Sequence, residues 1–292
     1  MGSINISDFR IKEGQKDFSL ENFPTSLRQD LFADKAEYKR KLEDRKSKMQ
    51  ELQELLYASG TNSILFGIQA MDTAGKDGLM EHVFTGLNPQ GCRVTAFKKP
   101  TELERKHGWI WRHDVALPEA GMIGVWNRTH YEEVGVVRVH PEYLKDPKVA
   151  NSKFWRKRLD FIRDWERELT KEGPAVVKIF LHISPEEQAR RLLSRTMDPA
   201  KHWKFNPGDL VERKLWPKYM RAFSKAIAAT STADAPWYVV PGNDKKEGRL
   251  IVADIVVHHL RQLDLKVPKL SSAQKLALKS AATALREELG EK

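Results

Sequence analysis

The stretch "AMDTAGKDGLM", residues 70–80, decides the fold. It partly matches the phosphate-loop pattern G-x-x-x-x-G-K-[ST]. In that pattern the backbone N–H groups surround the phosphates, the lysine reaches the outer phosphates and the hydroxyl of the last residue holds Mg²⁺. Gly75 and Lys76 match this pattern, but Ala70 replaces its first glycine and Asp77 replaces its hydroxyl. The loop therefore keeps the groups that bind phosphate and lacks the one that usually binds the metal.

The residues on either side of the loop have the pattern that a phosphate loop requires. The apolar run "SILFGI" (63–68) is too short for a helix and predicts a strand, whereas "LMEHVFTGL" (79–87) predicts a helix. A helix N-terminus offers unpaired N–H groups and a partial positive charge to an anion. We expect bound phosphate at the residues nearest this terminus, which are Ala74, Gly75, Lys76, Asp77 and Gly78. The alternative is an ordinary glycine turn.

Similar apolar runs recur along the chain and indicate the fold class. They lie at 92–97, 122–126, 175–183 and 236–240, and the segments between them are long enough for helices. Non-alternating apolar strands joined by helical crossovers are typical of a parallel sheet that is covered on both faces. The sequence predicts a three-layer α/β/α sandwich with a mainly parallel, P-loop kinase-like sheet, in which the loops after the strands share one edge.

The composition indicates a basic protein of a reducing compartment. Lysine and arginine outnumber aspartate and glutamate by 50 to 40, and the formal net charge is +10. Such a charge attracts polyanions, whether nucleic acid, phosphate chains or an acidic membrane face. A single cysteine cannot form an internal disulfide, and no apolar run is long enough for a membrane span or a secretion signal. We expect a cytoplasmic protein without a membrane partner and, in the absence of any nucleic-acid-binding pattern, without a nucleic-acid partner.

Asp72 lies inside the predicted phosphate loop and requires an explanation. A carboxylate there would repel a phosphate unless a cation stood between them. We therefore expect Asp72 to hold Mg²⁺, directly or through water, in place of the missing hydroxyl, with Mn²⁺ as a substitute.

Three further candidate residues follow the strand at 122–126. P-loop enzymes usually carry an aspartate at the end of such a strand, and here that position is Asn127. Glu132 is the nearest carboxylate that could replace it, although it could equally begin a solvated helix. Arg128 lies between them in sequence and provides a planar, bidentate donor for phosphoryl oxygens.

Residues 184–225 have the features of a lid. Arg191 and Arg195 are four residues apart in "PEEQARRLLSR", so a helix would place them on one face, where both could bind one phosphate ligand. A solvated, arginine-rich face is the alternative. The following "DPAKHWKFNPGDL" contains two prolines and a glycine, which suits a mobile connection that closes over a substrate and excludes water.

Together these segments resemble the polyphosphate kinase 2 family over roughly residues 35–265. The resemblance is carried by "QAMDTAGKDG", "IWRHDVALPEAG", "VWNRTHYEEVGVVRVH", "FLHISPEEQARRLLSR" and "HWKFNPGDLVERKLWPKYMRAFSKAI". The combination of residues 72–78 with 127–132 is similar to the subgroup called class III, in which asparagine replaces the more common aspartate at Asn127. Thr129 replaces the more common serine, a conservative change.

This resemblance implies a Mg²⁺-dependent, reversible phosphotransferase. It would move the terminal phosphate of inorganic polyphosphate to ADP, giving ATP, and to AMP, giving ADP; adenine nucleotides are the expected partners and guanine nucleotides further candidates. Asp72, Lys76, Arg128 and Glu132 would be catalytic, Asp72 holding the metal, and Asn127 and Glu132 would bind the nucleotide. The family also implies a homotetramer.

We expect the chain to divide into three parts. A P-loop kinase-like catalytic domain (33–268) lies between an N-terminal extension (1–32) and a C-terminal helical tail (269–292). Two other functions remain open on the residues alone: an ATP-dependent nucleotide kinase of the thymidylate-kinase type, which would normally keep serine or threonine at position 77, and a non-enzymatic polyanion-binding protein.

Overall fold

The five predicted strands form one parallel sheet. The computed structural model describes residues 4–15 and 17–291, so residues 1–3 and 16 of the N-terminal extension and residue 292 lie outside the described part. The sheet order is β2-β3-β1-β4-β5. The strands are β1 (Ile64–Ala70), β2 (Cys92–Ala96), β3 (Ile123–Asn127), β4 (Ala175–His182) and β5 (Trp237–Pro241).

Eleven α-helices in the described part of the chain accompany these strands: α1 (Lys35–Ser59), α2 (Lys76–Phe84), α3 (Glu102–Lys106), α4 (Trp111–Asp114), α5 (Val136–Val139), α6 (Ser152–Glu172), α7 (Pro185–Met197), α8 (Gly208–Lys214), α9 (Trp216–Thr230), α10 (Lys245–Gln262) and α11 (Ser272–Leu289). Helices α1, α2 and α10 contribute to one hydrophobic core, and α6 and α9 to a second on the other side of the sheet. The predicted three-layer α/β/α sandwich with a parallel sheet is confirmed.

Local sequence explains where the long first helix begins and ends. The side chain of Asp34 accepts a hydrogen bond from the N–H of Glu37 at 2.8 Å and caps the N-terminus of α1. Gly60 follows the last turn with a φ of +59°, a left-handed conformation that glycine adopts without a Cβ clash. Four residues thus separate the helix from β1, and Met49 and Leu56 of its apolar stripe are fully buried in the core.

The strand register places the ends of β1 and β3 side by side. Ile68 pairs with Asn127, and the N–H of Arg128 donates to the carbonyl of Ile68 at 3.1 Å. The loop after β1 and the turn after β3 therefore meet at the carboxyl edge of the sheet, where open α/β sheets bind their ligands.

Strand β2 is less buried than the other four strands of the sheet. This strand ends the sheet, and all five of its residues are half-buried or exposed; Val94, for example, is 52% exposed. The other edge strand, β5, is fully buried because α10 and the N-terminal segment contact it, whereas β2 packs mainly against β3.

The N-terminal segment covers the opposite edge of the sheet. Arg10 forms an antiparallel bridge with Tyr238 of β5, and the N–H of Ile11 donates to the carbonyl of Trp237 at 2.9 Å. The N–H of the fully buried Leu20 donates to Ser224 Oγ at 2.9 Å. The described residues of this segment are therefore bound to the domain.

Helix α11 lies in the C-terminal part of the chain. All of its residues are exposed to solvent. No helix within the described residues combines the length and the apolar character that crossing a membrane would require.

A buried polar network lies between β4, α6 and the turn after β3. Lys178 and Glu166 are both 1% exposed and form an ion pair, and Lys178 Nζ also donates to the carbonyl of Thr230 at 2.7 Å. Tyr131 Oη lies 2.8 Å and His130 Nε2 lies 2.9 Å from Glu166 Oε1. Burial raises the pKa of Glu166, but the charge of Lys178 and the bond to His130 outweigh it, so this pKa lies below its usual value.

We predict that breaking this pair is costly and that removing both charges costs much less. Glu166→Gln and Lys178→Met should each lower the free energy of unfolding by about 3–5 kcal/mol, because each leaves one buried charge uncompensated. The double variant should lose far less than the sum, as measured by urea unfolding. The matched control is Glu168→Gln on the same helix, where an exposed pair with Lys171 contributes roughly 0–1 kcal/mol. Additive losses in the double variant would contradict the prediction.

The first turn of α10 predicts a pH-dependent contribution to stability. Glu247 is buried there, and burial, together with the charges of Asp244 and Asp30, raises its pKa to about 7. In the unfolded chain Glu247 would release this proton near pH 4.5, the ordinary pKa of a glutamate. The folded state therefore holds an extra proton between pH 4.5 and about 7, and it loses stability as the pH rises through this range. The Glu247→Gln variant should therefore be as stable as the parent near pH 4.5 and more stable than the parent above about pH 7.

Melting temperatures across this pH range test the Glu247 prediction. The exposed Glu288→Gln variant serves as control, since it changes the same chemical group without burial. A difference between the Glu247→Gln variant and the parent that does not change with pH would show that Glu247 titrates normally.

Candidate active site

The loop between β1 and α2 has the geometry of an anion site. Gly75 precedes the helix with a φ of +98°, and it has no side chain to cap the N-terminus. The first N–H groups of α2 have no acceptor within the helix and remain available to a ligand. Thr73 has a φ of +64°, and its hydroxyl is buried without a hydrogen-bond partner in the described part of the chain. A ligand with acceptor oxygens would satisfy these donors.

Lys76 turns back over the loop. Its Nζ lies 3.1 Å from the carbonyl oxygen of Ala70 and 3.3 Å from that of Met71. Burial lowers the pKa of Lys76, and the negative charges of Asp72 and Glu132 oppose that shift. A phosphate bound here would act in the same direction as the carboxylates and stabilise the charged ammonium group.

Arg128 joins the loop after β1 to the turn after β3. Its guanidinium lies 3.2 Å from Asp72 and 3.4 Å from Glu132, and its φ of +64° is unusual for a residue other than glycine. Burial lowers the pKa of Arg128, but the charges of Glu132 and Asp72 outweigh it and the pKa lies above its ordinary value. Gln69 donates to the same Glu132 carboxylate. The predicted Asp72, Arg128 and Glu132 are thus brought together.

Asn127 and Asp77, the two departures from the usual pattern, contact each other. Asn127 Nδ2 donates to Asp77 Oδ1 at 2.7 Å. Aspartate at position 127 would place two carboxylates at this distance, and like charges so close repel each other. The amide at position 127 therefore fits the carboxylate at position 77.

The two arginines of the predicted lid make different contacts within the protein. Arg191 is buried; one guanidinium nitrogen donates to the carbonyl of Ala74 at 2.6 Å and another to that of Gly242 at 2.6 Å. Arg195 faces Asp209 at 3.6 Å, on the neighbouring helix α8. Arg191 thus binds the backbone of the phosphate loop, whereas Arg195 contacts another residue of the same 184–225 segment.

Sequence reasoning missed several residues that surround the loop. A cavity of about 150 Å³ is lined by Gly75 and Gly78 and by Lys245 and Arg249 of α10. Gln188 Nε2 donates to the carbonyl of Asp72 at 3.0 Å. The basic run "KKEGR" directly after β5 was the available signal, because the loop after β5 opens at the same sheet edge.

The residues present are compatible with Mg²⁺. Among the described residues, no group of three or more His, Cys, Asp and Glu side chains could hold a metal alone. Mg²⁺ is usually held by one or two carboxylates together with substrate phosphates, and it keeps several waters. Asp72 is 47% exposed beside the loop, and in this setting its carboxylate suits such an ion.

Comparison with known proteins gives the family. The family model of polyphosphate kinase 2 (PPK2) matches residues 32–268. The chain belongs to the polyphosphate kinase 2 family. It is 42% identical to a protein of Rhodopseudomonas palustris named ADP-polyphosphate phosphotransferase, over 94% of this chain and 96% of the relative. It is 43% identical to a protein of Meiothermus ruber named AMP/ADP-polyphosphate phosphotransferase, over 77% of this chain and 82% of the relative.

A solved structure of this family has the same fold. The crystal structure of polyphosphate kinase 2 from Arthrobacter aurescens TC1 superposes with a TM-score of 0.85 at 37% identity, covering 96% of this chain and 100% of the other. The sequence-based assignment to the polyphosphate kinase 2 family is confirmed.

We predict that Asp77 and Asn127 act as a pair. Asn127→Asp should lower the melting temperature at low ionic strength, because it opposes two carboxylates. The exchanged variant Asp77→Asn/Asn127→Asp should recover most of the loss, since the hydrogen bond re-forms with its donor and acceptor reversed. Raising the salt concentration should reduce the difference in melting temperature between Asn127→Asp and the parent, because Asp77 is exposed and salt screens its charge. No recovery in the exchanged variant would show that the two positions are independent.

Proposed function

We propose that this protein is a polyphosphate-dependent nucleotide kinase. It transfers the terminal phosphate of inorganic polyphosphate to ADP, giving ATP, and to AMP, giving ADP, reversibly and with Mg²⁺. One observation carries the proposal: the free helix N-terminus at Gly75, the ammonium of Lys76 and the guanidinium of Arg128 converge where the loops after β1 and β3 meet. Membership in the family and the names of both relatives support it.

The chemistry needs alignment and charge neutralisation more than acid–base catalysis. An oxygen of the nucleotide's terminal phosphate attacks the terminal phosphorus of polyphosphate and forms a new P–O bond. The bond between this phosphorus and the bridging oxygen breaks, and the shortened polyphosphate leaves with the bridging oxygen. The attacking oxygen is already ionised at neutral pH, so no general base is required. His130, which lies within the motif, is buried against Glu166 and does not face the loop residues.

Each candidate residue has a separate task in this proposal. The N–H groups at the start of α2 and Lys76 bind phosphate oxygens, and Arg128 neutralises charge that spreads over the transferred group. Arg128 has to exchange a carboxylate for phosphate when substrate binds, because Asp72 and Glu132 now occupy it. Glu132 and Asn127 position the nucleotide, as the family resemblance implies. Mg²⁺, when held by Asp72, supplies positive charge to the phosphates.

The proposal extends to the conditions of the reaction. Mn²⁺ substitutes for Mg²⁺, residues 184–225 close over the substrates, and guanine nucleotides are further acceptors. The protein acts in the cytoplasm, and the family resemblance supports a homotetramer.

We predict that purified protein, Mg²⁺ and polyphosphate give ATP from ADP, and ADP followed by ATP from AMP. Lys76→Ala and Asp72→Asn should each lower the rate by at least about 100-fold, the usual cost of removing one group that stabilises transition-state charge. Both variants should keep the circular dichroism spectrum of the parent. The matched control, Lys275→Ala on the exposed helix α11, should retain full activity.

The same assay separates the other functions. An ATP-dependent kinase would convert ATP and AMP to ADP without polyphosphate and without producing it. A polyanion-binding protein would form no nucleotide product in any combination, and Lys76→Ala would only weaken its binding by one charge. Either result overturns the proposal.

A further inference from the structure

A groove between α5 and α9 is lined by four cationic side chains. Its volume is about 190 Å³, and its cationic lining residues are Arg138, Lys218, Arg221 and Lys225. Among residues 4–15 and 17–291, no carboxylate forms a salt bridge with any of them. Glu142 and Glu212 belong to neighbouring segments, but both are bound to His140, at 2.8 and 2.9 Å. The charge of Lys218 helps to lower the pKa of Glu142, so this carboxylate lies near one end of the groove, but no salt bridge among the described residues neutralises any of the four positive charges.

Three of these cations form a stripe along one helix. Lys218, Arg221 and Lys225 are spaced by three and four residues on α9, so they lie on the same face, and all three are exposed. The stripe is about 10 Å long at 1.5 Å of rise per residue. The opposite face of α9 is buried and includes Tyr219 and Phe223. Such a stripe can contact several successive charges of an extended anion at once.

The fourth cation closes the groove from the other side. Arg138 is half-buried, and its guanidinium lies 5.7 Å from the ring centroid of Trp155. Burial lowers the pKa of Arg138, and no opposing carboxylate contributes to the shift. Its charge is thus partly desolvated without compensation, and a bound anion would provide that compensation.

The groove lies next to the proposed transfer site and outside it. Helix α5, which carries Arg138, begins three residues after the 3₁₀ turn His130–Glu133, and this turn carries Glu132. Tyr219 follows Lys218 directly and points to the inner side, where its hydroxyl lies 2.5 Å from Glu212. Burial, the bond to Glu212 and the charges of Asp72 and Glu132 all raise the pKa of Tyr219, so the inner side of α9 faces the transfer site.

The lining of the groove favours a phosphate chain over nucleic acid. Its remaining lining residues are Val139 and Ala222, neither of which offers an aromatic surface for a base. Proteins that bind single-stranded nucleic acid combine a cationic groove with such stacking surfaces. A chain of phosphates without bases needs only the charges.

We propose that this groove binds inorganic polyphosphate at units remote from the reacting end. The inference rests on the proposed function for the identity of the donor. The catalytic loop then binds the terminal phosphates, and the groove retains the same chain on the far face of α9. A chain too short to reach from one to the other gains nothing from the groove.

The test compares binding of a long and a short phosphate chain by titration calorimetry without nucleotide. The variant is Lys218→Gln/Arg221→Gln/Lys225→Gln. The matched control is Lys275→Gln/Lys279→Gln/Arg286→Gln, which removes the same three charges from the exposed helix α11. Polyphosphate of roughly one hundred units should bind the groove variant about tenfold more weakly than the parent. The logarithmic salt slope should fall by about 2, at roughly 0.7 per lost contact with a single-stranded polyanion.

The other arms decide the outcome. Tripolyphosphate should bind the parent, the groove variant and the control equally, and the control should bind long polyphosphate like the parent. Equal weakening for both chain lengths, or equal weakening by the control triple, would overturn the proposal. Single-stranded DNA provides a further arm. If it bound the parent as tightly as long polyphosphate does, and lost as much affinity in the groove variant, the groove would be a nucleic-acid site and the proposal would be overturned.

The binding assay is independent of the transfer assay. If the parent forms no ATP from ADP and polyphosphate, the proposed function fails. If it forms ATP while the groove variant binds long polyphosphate normally, only the groove assignment fails.

Discussion

The candidate site depends on a loop that must leave its backbone donors free and still hold one conformation. The loop lacks the hydrogen bonds that usually stabilise a helix N-terminus. Gly75 has no side chain that could cap α2, and the first N–H groups of α2 have no acceptor within the helix. Arg191, which lies outside the loop, stabilises the loop conformation instead. Its guanidinium donates to the carbonyl oxygens of Ala74 and Gly242, and so it joins the loop after β1 to the loop after β5. Only carbonyl groups are consumed, and the N–H groups stay available for an anion.

The charges around this loop are distributed so that it can accept phosphate. A P-loop that carries aspartate at positions 72 and 77, and a third carboxylate at position 127, would repel a polyanion. Here Asn127 donates to Asp77, and Arg128 lies between Asp72 and Glu132. The two departures from the usual sequence pattern thus compensate each other. Asp72 remains exposed enough to bind a cation, and in the bound state that cation would free Arg128 to interact with phosphate.

Much of this arrangement could be predicted because it depends on local sequence. Apolar runs of five to nine residues located every strand, and the loop pattern located the site, since both signals arise from neighbouring residues. Arg191 shows the limit. Its spacing from Arg195 correctly indicates one helix face but does not reveal what that face contacts, and the contact is with backbone 117 residues earlier in the chain. Lys245 and Arg249 were missed for the same reason, because the β5–α10 connection brings them to the loop from a distant part of the chain. The exposure of β2 depends on which elements pack against an edge strand, and periodicity does not contain this information.

The buried network beneath the turn after β3 explains why a histidine within the motif has no part in the proposed chemistry. His130 and Tyr131 are both bound to Glu166, which Lys178 holds ionised inside the domain. Apolar residues of similar size could fill this space, and replacing a buried ion pair in that way is often neutral or stabilising. Directional bonds, however, fix the orientation of the turn as apolar packing would not. The next residue, Glu132, must reach Arg128 and Gln69 from that turn. The network therefore belongs to the positioning of Glu132, and through Arg128 it is connected to the phosphate loop itself.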